Sequence, residues 1–258
     1  MGAKHELRHR RILEILNDGS ECHIDFLARA VGVSLATMRR DLERLDQAGL
    51  LVRTHGGARP KKMGHFKPSY ADRMNIHRAE KLAIVKEAMK LVCNHDTIAL
   101  CNGTTTHYLA KAICQSGLEV TVITNAIDSA LEMAAYPKVR SILIGGEVSE
   151  GYTLGGFWSE MILKRAPRVD KAFLGADGVS LTHGLTAYFP NDASMHSHMA
   201  SLADQVIALA DHTKFGVVKL AQMVPLSDVH LLIADSGLKP DIAQAFRTQG
   251  VNLCLATG

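Results

Sequence analysis

The 258-residue sequence has no run of about eighteen apolar residues, the length a helix needs to cross a bilayer, so no transmembrane helix is expected. The basic stretch Met1 to Arg11 has no apolar segment behind it of the kind a secretory leader requires, and the cytoplasm is the expected compartment. Cysteines are few and odd in number. Cys22, Cys93, Cys101, Cys114 and Cys254 include no pair at metal-knuckle or redox spacing, so they read as small hydrophobes in a reducing compartment. His196 and His198 stand two apart, which suits neither one helix face nor a strong zinc motif; no metal and no cofactor is expected. Internal repeats and low-complexity tracts are absent, and with 47% apolar residues the chain has the material for a packed core.

What is present is unevenly distributed. Residues 1–62 carry twelve Lys and Arg against eight Asp and Glu, a surplus of four positive charges, while the remainder is nearly neutral. A basic small module ahead of a near-neutral larger one points to a polyanionic partner for the first.

Apolar spacing predicts a helix over 8–17 and a second over 24–31, whose inner side carries Ile24, Leu27, Ala28 and Val31. Gly32-Val33 then makes a tight turn. Ser34 can cap a third helix running to about Gln47, with Met38, Leu42 and Leu45 inward and Thr37, Arg40 and Arg44 on the opposite side. A strand-like Leu50–Thr54 and a turn at His55-Gly56-Gly57 follow, and a linker begins at Arg59. Two short helices, a glycine turn and a third helix bearing Thr37, Arg39, Arg40 and Arg44 form a helix-turn-helix pattern. One helix fits the major groove, arginine pairs with guanine or clamps phosphate, and Ser and Thr contact either. Arg53 and His55 on the following hairpin would press a wing against the backbone. A solvated basic helix in a small bundle is the competing reading of the same residues.

From about Arg78 the rhythm changes. Strands are expected near 97–100, 119–123, 141–144, 171–174, 205–210, 229–234 and 252–255, with helices between them. That alternation indicates a mostly parallel sheet covered on both faces, with ligands at the carboxyl ends of its strands. Gly103-Thr104-Thr105-Thr106 follows a strand and opens a helix, where backbone N–H groups and hydroxyls can cradle a phosphate.

The motifs carry a resemblance. Arg10-Arg11-Ile12-Leu13, Leu27-Ala28, Val33-Ser34-x-x-Thr37-x-Arg39-Arg40-Asp41-Leu42-x-x-Leu45 and Val52-Arg53-Thr54-His55-Gly56-Gly57-Ala58 resemble the DNA-binding domain of the DeoR family of bacterial repressors. The resemblance implies a winged helix-turn-helix over 5–60, with recognition by the helix from Ser34. Two departures stand out. Cys22-His23 replaces the family's small hydroxyl cap before the second helix, which should weaken that cap. Phe26 occupies a usually polar position, as an exposed contact or, the favoured reading, as part of a repacked core.

Downstream, Glu80-Lys81, Gly103-Thr104-Thr105, Ile123-Thr124-Asn125, Gly145-Gly146, Phe173 to Gly178, Gly184-Leu185-Thr186 and Ala210 to Gly216 resemble, in order, the family's C-terminal sensor domain. That domain is similar to ribose-5-phosphate isomerase. The resemblance implies a phosphorylated sugar or polyol as effector, held by Asn102, Gly103, Thr104, Thr105 and Thr106, with Asn125, Gly146, Asp177, His196 and Lys214 at or near the sugar. His196 stands where the family commonly has Lys. It either supplies a cation only at low pH or is a partly buried helix residue without a ligand role.

The rival class is a sugar-phosphate isomerase with a fused DNA-binding head. Isomerisation needs a positioned base. Where the isomerases have a Glu after Gly-Ala-Asp this chain has Gly178, and Met195-His196 replaces their later Glu-Lys pair. The expectation is therefore an α/β regulator and not an enzyme: a winged helix-turn-helix over 5–60, a linker over 61–77 and a sensor over 78–258. Its partners would be double-stranded operator DNA, a phosphorylated effector and further copies of itself, with no membrane.

Overall fold

The computed structural model describes residues 3–16, 21–47, 51–59, 69–149 and 151–257. The chain divides into two compact units, 1–66 and 67–258.

In the first unit α1 (Ala3–Leu16) precedes β1 (Cys22–His23), α2 (Ile24–Val31), α3 (Leu35–Gln47), β2 (Val52–Arg53) and β3 (Gly57–Arg59). The apolar rows meet in one core: Ile12 and Leu16 of α1, Leu27 of α2, and Met38, Leu42 and Leu45 of α3 are fully buried. The chain leaves α2 at Gly32, whose φ of 72° lies in the left-handed region where a side chain is strained. The three short strands form an antiparallel sheet in the order β1-β3-β2. The end of the first expected helix at Asn17, the start of the expected strand at Leu50 and the segment 60–68 lie outside the described residues. Phe26 is 58% exposed, which corrects the favoured core reading: Leu27 and Ala28, the next residues on α2, take the inward positions and turn Phe26 to solvent.

The second unit begins with a helix inside the segment expected as linker. α4 (Tyr70–Asn75) forms because the Ser69 hydroxyl accepts from the Asp72 N–H and so caps its first turn. Then follow α5 (Arg78–Met89), β4 (Thr97–Leu100), α6 (Thr104–Ser116), β5 (Val120–Thr124), α7 (Ile127–Ala134), β6 (Val139–Leu143), β7 (Glu147–Ser149), β8 (Thr153–Gly155) and α8 (Phe157–Leu163). After these come β9 (Val169–Gly175), β10 (Gly178–Ser180), β11 (Gly184–Ala187), α9 (Pro190–Ser201), β12 (Ala203–Leu209), β13 (Ala221–Val224), β14 (Leu231–Asp235), α10 (Pro240–Thr248) and β15 (Leu253–Ala256). Each of the seven strands expected from sequence corresponds to one of β4, β5, β6, β9, β12, β14 and β15, which form one all-parallel sheet in the order β15-β14-β12-β9-β4-β5-β6.

Alternation along these strands builds two cores. Ile98, Leu100, Phe173, Ile207 and Ile233 face the side covered by α5 and α6, while Ala99, Ala172, Leu174, Ala208 and Leu232 face α9 and α10. The hairpins β7-β8 and β10-β11, and β13 paired to β11, are additions with no counterpart in the sequence-based expectation. Among the described residues, no helix is long and apolar enough to cross a membrane.

Candidate nucleic-acid interface and ligand site

On the first unit, α3 presents Arg39, Arg40 and Arg44 to solvent, and the β2–β3 hairpin presents Arg53 and His55. The inner row of α3 fixes this orientation, because burying Met38, Leu42 and Leu45 turns the arginines out. Ser34 serves as the start of α3: its hydroxyl accepts from the Thr37 N–H at 3.2 Å and lies 2.9 Å from the Thr37 hydroxyl. Arg39, Arg53, His55 and Gly56 line a small recess of about 100 Å³ between helix and wing. His23 replaces the expected hydroxyl cap of α2; its Nδ1 accepts from the Asp25 N–H at 3.4 Å, a long and therefore weak bond.

One side chain of α3 escaped the sequence reading. Asp41 is 1% exposed. Its carboxylate takes two bonds from Arg8, Nε at 2.6 Å and Nη2 at 3.1 Å, and one from His9 Nε2 at 3.0 Å. Burial alone would raise its pKa, but the Arg8 and His9 bonds and charges outweigh that and hold it below the usual carboxylate value. His5, Glu6 and His9 have the i, i+1, i+4 spacing of a helix-borne zinc motif, yet His9 directs Nε2 to Asp41.

On the second unit the sheet topology defines a candidate site. From β4 the chain proceeds through β5 to β6 on one side, and from β9 through β12, β14 and β15 on the other. The carboxyl ends of β4 and β9 therefore flank a switch point, where connections leave in opposite directions, the position at which open α/β sheets bind ligands. Asn102 and Gly103 follow β4, Asn125 follows β5, Gly146 follows β6, Asp177 follows β9 and Lys214 comes soon after β12. The expected ligand residues thus share the carboxyl edge of five neighbouring strands.

At its centre is a buried polar network. The Asn102 N–H donates to Asn125 Oδ1 at 2.9 Å, and Asn125 Nδ2 donates to Asn102 Oδ1 at 3.0 Å and to the Leu154 carbonyl at 3.0 Å. His196, reaching in from α9, places Nε2 2.9 Å from the same Asn102 Oδ1. A carboxamide oxygen only accepts, so His196 carries a proton on Nε2. Gly103 opens α6 with φ 152° and ψ 159°, and no side chain caps that end. Thr104, Thr105 and Thr106 are buried in the first turn of α6, not in a preceding loop. Thr106 turns its hydroxyl back to the Gly103 carbonyl at 2.9 Å and so braces the turn.

The remaining expected residues lie further out. Asp177 accepts from the Tyr188 N–H at 3.2 Å. Lys214 Nζ stands 3.9 Å from the buried Asp211 carboxylate. Gly146 is packed against α8, and a Cβ there would lie 1.9 Å from Ser159 Oγ. A Cβ at Gly178 would meet the Val217 carbonyl oxygen at 2.5 Å and Thr186 Oγ1 at 2.6 Å, so the backbone packing there leaves no room for a side chain.

Sequence reasoning also missed a group of buried titratable residues beside this edge. Lys81 is 4% exposed, and its ammonium donates to the Ile76 carbonyl at 2.5 Å and to the Arg73 carbonyl, at the end of α4. Burial lowers its pKa from 10.5 to about 8. Asp211 faces Lys214 and Lys81: burial raises its pKa, and those cations, the Thr213 bond and His77 pull it below normal. On α6, His107 lies 3.2 Å from the Asp128 carboxylate, which also accepts from Tyr70 of α4. Burial pushes the His107 pKa down.

Lys81 gives a pH signature. Its folded pKa is lower than its unfolded one, so the unfolded chain binds the extra proton between about pH 8 and 10.5. Across that window the protein should gain stability relative to a Lys81→Met variant, by on the order of 3 kcal/mol. Urea melts of both proteins at pH 7.5, 9 and 10.5 check this, and a constant difference would contradict it.

Comparison with known proteins shows the family. The DeoR-like helix-turn-helix domain matches residues 8–62, and the DeoR C terminal sensor domain matches residues 76–236. The HTH-type transcriptional regulator GolR of Listeria innocua is 30% identical, over 96% of this chain and 98% of its own. The HTH-type transcriptional repressor GlcR of Bacillus subtilis is 32% identical, over 87% and 86%. A ribose 5-phosphate isomerase A from Neisseria gonorrhoeae is similar at 17% identity and a TM-score of 0.39, over 54% of each chain. Helix-turn-helix unit, sensor unit and full-length relatives together place this chain in the DeoR family of transcriptional regulators.

Proposed function

We propose that this regulator is a repressor of a carbohydrate-utilisation operon, which binds operator half-sites as a homo-oligomer and is controlled by a phosphorylated sugar or polyol. The observation that carries the effector reading is the uncapped start of α6 at the switch point, held by the Asn102–Asn125–His196 network. Its backbone donors and the positive helix end favour a phosphate. Thr104 and Thr105 supply hydroxyls, Thr106 braces the turn, and Lys214 supplies a cation. Asn125 and His196 act through Asn102, which they orient; Asp177 faces the sugar, and Gly146 lets the β6 loop close against α8. A thermal-shift screen of hexose, pentose and polyol phosphates, each beside its unphosphorylated parent, tests this reading. The phosphorylated member should stabilise the protein and its parent should not; equal stabilisation by a neutral sugar rules it out.

On DNA, Ser34 and Thr37 set the start of α3 while Arg39, Arg40, Arg44, Arg53 and His55 face the duplex. Arg40→Ala should cost about 1–3 kcal/mol on operator if it reads a base, whereas loss of a phosphate contact by Arg39 or Arg44 should weaken all sequences alike and reduce the salt slope. Titration of the three alanine variants against operator and random duplex at several salt concentrations decides between the roles. Unchanged affinity in all three removes α3 as the recognition helix.

A further inference from the structure

The sensor unit exposes an apolar face that neither the DNA interface nor the ligand site uses. On α8, Phe157 is 62% exposed, Trp158 65%, Met161 40% and Ile162 46%. Positions 157, 158, 161 and 162 share one side of a helix, and the opposite side is anchored by buried Ser159 and Leu163. Trp158 is the single tryptophan of the chain. Its ring packs edge-on to Phe157 with centroids 5.4 Å apart, so the two form one aromatic surface.

The four side chains expose on the order of 400 Å² of apolar surface, taking about 150–250 Å² for a whole aromatic side chain. A standard interface takes about 800 Å² from each partner, a little over half of it apolar. The stripe therefore matches the apolar share of one side of a stable dimer. A continuous apolar surface of about 400 Å² is as large as the largest patch on a typical monomer, and such a patch is often a binding surface.

Charge selects the occupant. The Glu147 carboxylate sits at the N-terminal end of α8, where a Cβ on Gly156 would lie 3.1 Å from it. Lys164 and Arg165 are exposed at the other end. Two copies of α8 packed antiparallel about a two-fold axis bring Glu147 of each opposite Lys164 and Arg165 of the other. The surface is self-complementary, as a closed two-fold contact requires. We infer that α8 is a self-association face, through which a second copy of this chain docks antiparallel and pairs two sensor units. This rests on the proposed oligomer and adds the surface that makes it.

The test uses the full-length chain and reads mass, not DNA binding, so it stands or falls apart from the operator and effector readings. Light scattering across a concentration series should give a Phe157→Glu/Ile162→Glu variant with half the wild-type mass and self-association weakened at least tenfold, at unchanged circular dichroism. Wild-type Trp158 emission should shift to the red on dilution through the same concentration range. Glu147→Lys alone should weaken association, and adding Lys164→Glu and Arg165→Glu should restore it. Unaltered mass in the double-Glu variant overturns the inference, and so does failure of the charge reversal to restore association. Unaltered mass with changed operator affinity also overturns it, by assigning the stripe to the DNA-binding unit.

Discussion

A Thr104→Val/Thr105→Val variant is expected to lose the effector response by on the order of 100-fold or more while binding operator like the parent. Valine keeps the shape of threonine and removes its hydroxyl. Each hydrogen bond to a charged acceptor is worth about 1.5–3 kcal/mol, so two together reach that factor. The fold should survive, because the bracing bond in this turn runs from Thr106 to the Gly103 carbonyl and is left in place. The DNA-binding unit is untouched by the change. Titration of a phosphorylated hit from the screen, followed by heat of binding and by operator release, checks both halves. A normal response would remove the start of α6 from the effector site, and loss of operator binding would mean that the variant had damaged more than the site.

The second large effect is expected in the DNA-binding unit. Asp41→Ala should cost about 3 kcal/mol or more, because it leaves Arg8 and His9 facing a buried void where a paired carboxylate stood. A unit of this size is stabilised by only a few kcal/mol, at roughly 0.05–0.15 kcal/mol per residue, so operator binding should fail with it. The pH dependence has a definite sign. The folded pKa of Asp41 is depressed, so its contribution is fully present above the unfolded value near 3.8 and is lost as pH falls through the lower folded value. The stability gap between the parent and Asp41→Asn should therefore narrow below about pH 4. Denaturant melts by circular dichroism at pH 7 and pH 3 measure it; a gap that stays constant would show that the charge of Asp41 contributes nothing.

Asp41 also shows where sequence reasoning stopped. It stands three residues after Met38 and beside Leu42, so helical spacing already put it on the inner row of α3. An acidic residue there was a signal of a buried ion pair. Its partners, 33 and 32 residues upstream on α1, left no local trace. Lys81 is similar. The Glu80-Lys81 motif marked a family feature, but only the folding of α4 ahead of α5 gave its ammonium the carbonyls of Arg73 and Ile76. For Phe26 the local pattern was ambiguous, and the neighbouring Leu27 and Ala28 settled it.

The sequence by itself determined the helices of both units other than α4, the seven strands of the parallel sheet, the exposed arginine row of α3 and the group of residues at the strand ends. Those features follow from spacing of 3.6 or 2 residues and from caps and glycines within a few positions, which are local and therefore readable along the chain. Tertiary structure alone decided the strand order β15-β14-β12-β9-β4-β5-β6, the three-to-four-residue strands β7, β8, β10, β11 and β13, and the pairing of His196 with Asn102 across 94 positions. Short strands have too few residues to show an alternation, and a contact between distant residues is fixed by the packing of the whole sheet, which no window of the sequence contains.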